Sequence, residues 1–108
     1  MTRQEVVRRL AEHESELRDM GVAGLSLFGS TARNEPRADS DVDLLVEFNR
    51  PVGIFQFHRV QQRIEAILGG PKVDLVLRRA VLPDLQDIIF GEAVPCLADD
   101  GNSESVIS

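Results

Sequence analysis

Residues Leu27–Phe48 read LFGSTARNEPRADSDVDLLVEF. An apolar run ends in Gly29-Ser30, a loop follows, and a second apolar run opens on Asp41 and Asp43. Residues 42–48, VDLLVEF, read as a strand, and side chains alternate between the two faces of a strand. Asp41, Asp43, Leu45 and Glu47 therefore share one face, while Val42, Leu44, Val46 and Phe48 share the other. A carboxylate inside such a run is unfavourable unless it is paired, hydrogen-bonded or metal-bound. Two of them on one face raise each other's pKa.

Upstream, residues 23–28 read as a short strand broken by Gly29-Ser30, with STAR as a single helical turn and NEPRADS as loop. Residues 3–20 read as one helix. Thr2 and Glu5 have capping-box spacing, and Val6, Val7, Leu10 and Leu17 recur at the helical period. Glu14 falls on that stripe, either at its edge or against a basic partner, and Gly21 closes the helix. His13 is read as a half-buried or surface residue.

Downstream, residues 53–69 read as a helix burying Ile54, Phe57, Val60, Ile64, Ile67 and Leu68, with Phe55 pointing away as a candidate contact for another subunit. Residues 72–77, KVDLVL, read as a third strand carrying Asp74, residues 84–90 as a short helix, and AVPCL as an extended tail strand. The expected fold is α+β (α/β-like), a small mixed sheet flanked by helices. The connection between Pro51 and Pro71 allows the second and third strands to be parallel neighbours or to be separated by another strand. Residues 1–98 form the expected domain, and 99–108 a disordered polar tail.

The chain has 108 residues, one domain's length, with 43% hydrophobic residues and a net charge of -6. So small a domain gains from a partner subunit, which leaves a homo-oligomer open. The acidic balance argues against an extended nucleic-acid surface, which needs clustered Lys and Arg. It leaves room for a nucleotide, because a small pocket can hold phosphate through backbone N–H groups and metal. Cys96 is the only cysteine, so no disulfide forms within the chain, and it is read as a small hydrophobe. No apolar run suits a membrane span and the N-terminus lacks a signal-like core, so the expected location is cytoplasmic, without a membrane partner.

Asp41, Asp43 and Asp74 are the candidate catalytic and metal residues. Oxygen ligands alone suit Mg²⁺ or Mn²⁺, and the lack of Cys and His disfavours structural zinc. A lone Asp-x-Asp commonly decorates a solvent-facing sheet, but the Gly-Ser turn changes that reading. Gly29 permits close approach of a ligand, the N–H groups after it can cradle phosphate, and Ser30 and Arg33 add donors. Phosphate cradle and acid pair together point to phosphoryl or nucleotidyl transfer.

Gly29-Ser30, Ala32-Arg33, Ser40-Asp41-Val42-Asp43-Leu44 and Asp74 in KVDLVL together resemble the signature of the minimal nucleotidyltransferases of the DNA polymerase beta-like superfamily. The resemblance runs from the first helix through AVPCL. Asn34 departs from the Gly that usually follows the Arg, although Asn tolerates a left-handed backbone. The resemblance implies the nucleotidyltransferase fold, ATP as substrate and two divalent metals (Mg²⁺ or Mn²⁺) on Asp41 and Asp43, with Asp74 completing the second site. It also implies Gly29, Ser30, Arg33 and Ser40 as nucleotide-binding residues. Members this small are similar to the antitoxins of HEPN/MNT toxin–antitoxin modules, which implies transfer of AMP to a tyrosine of a helical HEPN toxin encoded by an adjacent gene. The competing expectations are a non-catalytic antitoxin that masks its partner, and an ordinary α+β domain whose acids lie on the surface.

Overall fold

The computed structural model describes residues 2–33 and 41–97. The loop positions Asn34 and Ser40, and the expected tail over 99–108, lie outside the described residues.

Strand β1 (Val22–Phe28) runs into a four-residue helix, α3 (Gly29–Ala32), and β2 is Val42–Phe48. The strands pair antiparallel, with Phe28 opposite Asp43, so the end of β1 and the start of β2 meet at one edge of the molecule. Strand β3 (Val73–Leu77) lies parallel to β2, and β4 (Val94–Pro95) pairs antiparallel with β1. The sheet order is β3-β2-β1-β4, a mixed sheet of four strands. Of the two arrangements open from sequence, the second and third strands are direct parallel neighbours.

The connection between them is α4 (Ile54–Leu68), which ends on Gly69 in a left-handed conformation (φ 88°) where a side chain would be strained. Its Val60, Ile64, Ile67 and Leu68 join Leu27, Leu44 and Val46 of the sheet in the core. Ile54 was expected on that buried side, but it is 77% exposed. It stands at the first position of the helix, a full turn before Phe57 and Val60 begin to bury, so it keeps the period while lying beyond the core. Phe57 is half-buried, tilted against Phe48 at a ring separation of 6.3 Å, whereas Phe55 does point away, at 84% exposure.

The N-terminal helix is not continuous. It divides into α1 (Arg3–Glu12) and α2 (Glu14–Asp19) at His13. His13 Nδ1 lies 3.0 Å from the Arg9 carbonyl, the acceptor that an uninterrupted helix would reserve for the His13 N–H. That N–H donates instead to the Leu10 carbonyl. A local side-chain bond thus competes with the helical ladder. The Thr2–Glu5 capping box forms as read, and Val6, Leu10 and Leu17 are fully buried. Glu14 finds its basic partner one turn on, in Arg18 at 2.7 Å.

The second sheet face is partly covered. A 3₁₀ turn (Arg78–Ala80) meets β2, and α5 (Pro83–Glu92) meets β1 and α3. Leu45, on the acid-bearing side of β2, is accordingly buried rather than exposed. The Arg78 guanidinium lies 4.3 Å from the Phe90 ring centre and ties this turn to α5. Helix α5 contains no fully buried residue, and Leu82 before it and Leu85 and Ile88 within it are exposed. Cys96 is buried, its N–H donates to the Leu25 carbonyl at 2.8 Å, and burial pushes its thiol up to about 12. It is an inert packing residue, as read from sequence. Among the described residues, no helix is long and apolar enough to cross a membrane.

Candidate active site

The parallel register of β2 and β3 sets Asp43 beside Asp74. Val42 N–H donates to the Lys72 carbonyl at 2.9 Å and locks the two strands together at that end. Asp41 immediately precedes β2 and is half-buried, as is Asp43, whereas Asp74 is exposed. The three acids therefore grade from the protein interior toward solvent at one end of the sheet.

Burial pushes the Asp43 carboxyl up to about 6, and the charges of Asp74, Asp41 and Glu92 add to the rise while Arg33 opposes it. This is the charge conflict anticipated for acids within an apolar run. A divalent cation would relieve it, and an all-oxygen donor set suits Mg²⁺ or Mn²⁺. Among the described residues no three His, Cys, Asp or Glu side chains are already gathered as a metal cage. The acids meet electrostatically without closing around a fixed point.

At the end of β1, beside this cluster, stands Gly29. Its φ is 78°, in the left-handed region, and a Cβ placed on it would overlap the Asp43 carboxylate. Two independent constraints, conformation and space, thus exclude a side chain at the point where β1 turns into α3. Ser30 follows, half-buried, while Thr31 and Ala32 pack inward and Arg3 braces the turn by donating to the Ala32 carbonyl at 3.2 Å. Arg33 closes the turn, its N–H donating to the Gly29 carbonyl at 3.2 Å.

One residue of this region escaped the sequence reading. Glu92, the last residue of α5, accepts from the Gly29 N–H through Oε2 at 2.8 Å and from Arg33 through Oε1 at 2.9 Å. The last helix was expected over 84–90, two residues short of it. No periodicity or motif links a single glutamate at the end of a short helix to a glycine so far back in the chain.

Gly29, Ser30, Arg33, Asp41, Asp43 and Asp74 are thus assembled at one end of the sheet, and Ser40 lies outside the described residues. The left-handed Gly29 turn and the acid cluster thus lie against one another. The profile of the nucleotidyltransferase domain matches residues 8–96. The chain is 35% identical to the protein adenylyltransferase MntA of Thermococcus cleftensis over 95 residues, 87% of this chain and 95% of that protein. A solved structure described as a minimal nucleotidyltransferase superposes with a TM-score of 0.75 at 34% identity, covering 88% of this chain and 96% of the other. The complex of tri-AMPylated Shewanella oneidensis HEPN toxin with MNT antitoxin contains a chain of the same fold, at a TM-score of 0.58 and 19% identity over 83% of this chain and 71% of that one. The chain belongs to the nucleotidyltransferase domain family, as one of its minimal members.

Proposed function

We propose that this nucleotidyltransferase transfers AMP from ATP to a tyrosine hydroxyl of a helical HEPN-type toxin in the cytoplasm, and so acts as its antitoxin. The observation that carries the reading is the close approach of the Gly29 turn to Asp43 together with the pairing of Asp43 with Asp74 on the adjacent strand, a glycine turn against an acid cluster. The relative named a protein adenylyltransferase and the fold shared with an antitoxin bound to an AMPylated toxin support the choice of acceptor.

In this reading the Gly29 N–H, the Ser30 hydroxyl and the Arg33 guanidinium hold the β and γ phosphates, with Ser40 completing the cradle. Asp41, Asp43 and Asp74 would hold Mg²⁺ or Mn²⁺, which when bound neutralises phosphate charge and lowers the pKa of the acceptor hydroxyl. Asp74, the exposed acid, is accessible to a protein acceptor, and its carboxylate takes the hydroxyl proton. The hydroxyl oxygen then bonds to the α phosphorus, the bond from that phosphorus to its bridging oxygen breaks, and pyrophosphate leaves.

The test is incubation of the protein with labelled ATP, Mg²⁺ and the product of the adjacent gene. Label on a tyrosine of that product is the expected result. Tight pairing and neutralisation without label would establish a masking antitoxin instead.

A further inference from the structure

The two donors assigned to the triphosphate already share an acceptor. Glu92 takes the Gly29 N–H on one carboxylate oxygen at 2.8 Å and Arg33 on the other at 2.9 Å. A carboxylate bridging a backbone amide and a guanidinium presents two oxygens and a negative charge, as the edge of a phosphate group does. A phosphate oxygen cannot take the same Gly29 N–H while Glu92 holds it, because the amide has a single hydrogen to donate. The charges also repel at this distance in a partly buried site.

The element that delivers Glu92 is suited to letting go. Helix α5 has no fully buried residue, and its Leu85 and Ile88 are exposed. An element with so little burial opens at low free energy compared with the core sheet. Glu92 is its final residue, and Ala93 after it is already extended (φ -66°, ψ 136°). The side chain can therefore leave Gly29 by rotamer change or by fraying of the last turn, without disturbing β4.

We propose that Glu92 is a self-inhibitory latch, an internal substitute for phosphate that holds the nucleotide cradle closed until it is displaced. This inference rests on the nucleotide-binding reading of Gly29 and Arg33. Its consequence is that ATP binds only the fraction of molecules in which the latch is open, which lowers the apparent affinity by that fraction.

The experiment is calorimetric titration of the full chain with a non-hydrolysable ATP analogue and Mg²⁺, comparing the parent with Glu92→Gln and Glu92→Ala. Asp84→Asn, a charge removed from the exposed start of the same helix, serves as control. The expected result is binding about tenfold tighter in both Glu92 variants, from the loss of a charge-assisted competitor, and no change in Asp84→Asn. If Glu92→Ala does not fold, Glu92→Gln decides alone, since its amide keeps the shape and an acceptor oxygen but loses the charge. Parent binding that is unchanged or weakened in the Glu92 variants overturns the latch and leaves the nucleotide reading intact. Absence of binding in the parent and in both variants overturns the two together.

Discussion

Asp43 and Asp74 occupy paired positions on adjacent parallel strands, and Asp43 is at the same time the residue that a side chain at Gly29 would strike. One carboxylate thus links the acid cluster to the Gly29 turn, the proposed phosphate cradle. Its environment follows from this position: neighbours of like charge on one side, a glycine turn and its glutamate on the other.

That environment makes stability depend on pH. The unfolded Asp43 carboxyl ionises near 3.8 and the folded one near 6. The folded state is thus favoured by the neutral acid, fully so below the unfolded value, and loses that advantage as pH rises through the folded value. Asp43→Asn is neutral throughout. In metal-free buffer at pH 7 the variant should be more stable than the parent by about 1–2 kcal/mol, after a discount for solvent access. The gap should close as pH falls toward 4. Denaturant melts at the two pH values measure it, and a gap independent of pH would show that ionisation of Asp43 is not its source. Adding Mg²⁺ with nucleotide should reverse the order by stabilising the parent alone.

The space at Gly29 can be tested by coupling. Gly29→Ala introduces strain from the left-handed backbone, about 1 kcal/mol, together with the overlap with Asp43. Removing the carboxylate with Asp43→Ala should relieve the second contribution and leave the first. The double-mutant cycle should therefore show a favourable coupling of about 1–2 kcal/mol. Additive effects would mean that the turn moves away from β2 when a methyl group is added.

The contrast between the core and α5 gives a third expectation. Leu44 is 0% exposed on a strand paired on both sides, so Leu44→Ala should destabilise by about 2–5 kcal/mol. Leu85, 43% exposed on a helix with no fully buried residue, should change stability by about 0.5 kcal/mol or less when replaced by alanine. Guanidinium midpoints at unchanged slope are the measurement. A large effect of Leu85→Ala would mean that α5 is held as firmly as the sheet, which would also count against an easily opened Glu92.

The legible part of this protein lay where local pattern and global position coincide. Period-two alternation placed Asp43 opposite Leu44 and Val46, and the strand-break at Gly29-Ser30 placed the turn, because both are short-range consequences of backbone geometry. Periodicity measures angle around a helix and carries no information about where the sheet beneath it ends, so Ile54 looked buried and is not. The break at His13 coincides with a side-chain contact to the Arg9 carbonyl, which composition cannot show. The parallel pairing of β2 and β3 was open until the strands were seen in register. Glu92 was hidden for the same reason: its role exists only once β4 carries the end of α5 back alongside β1.

Asp74 separates an enzyme from a masking binder. It is exposed, it neighbours Asp43 on the adjacent strand, and it makes no contribution to the apolar core. Asp74→Asn preserves shape, so folding and pairing with the partner protein should survive. Nucleotide binding should be largely retained, because the cradle at Gly29, Ser30 and Arg33 lies across β2 from it. The loss should fall on transfer. A positioned base alone is worth roughly 10²–10⁴-fold, and weaker metal binding would add to that. Rates of label incorporation into the partner, measured beside calorimetric nucleotide affinity and a pull-down of the two proteins, resolve the three contributions. Full transfer by Asp74→Asn would remove the residue from the mechanism. Transfer reduced by at least two orders of magnitude, with pairing and nucleotide affinity intact, would place it at the acceptor hydroxyl.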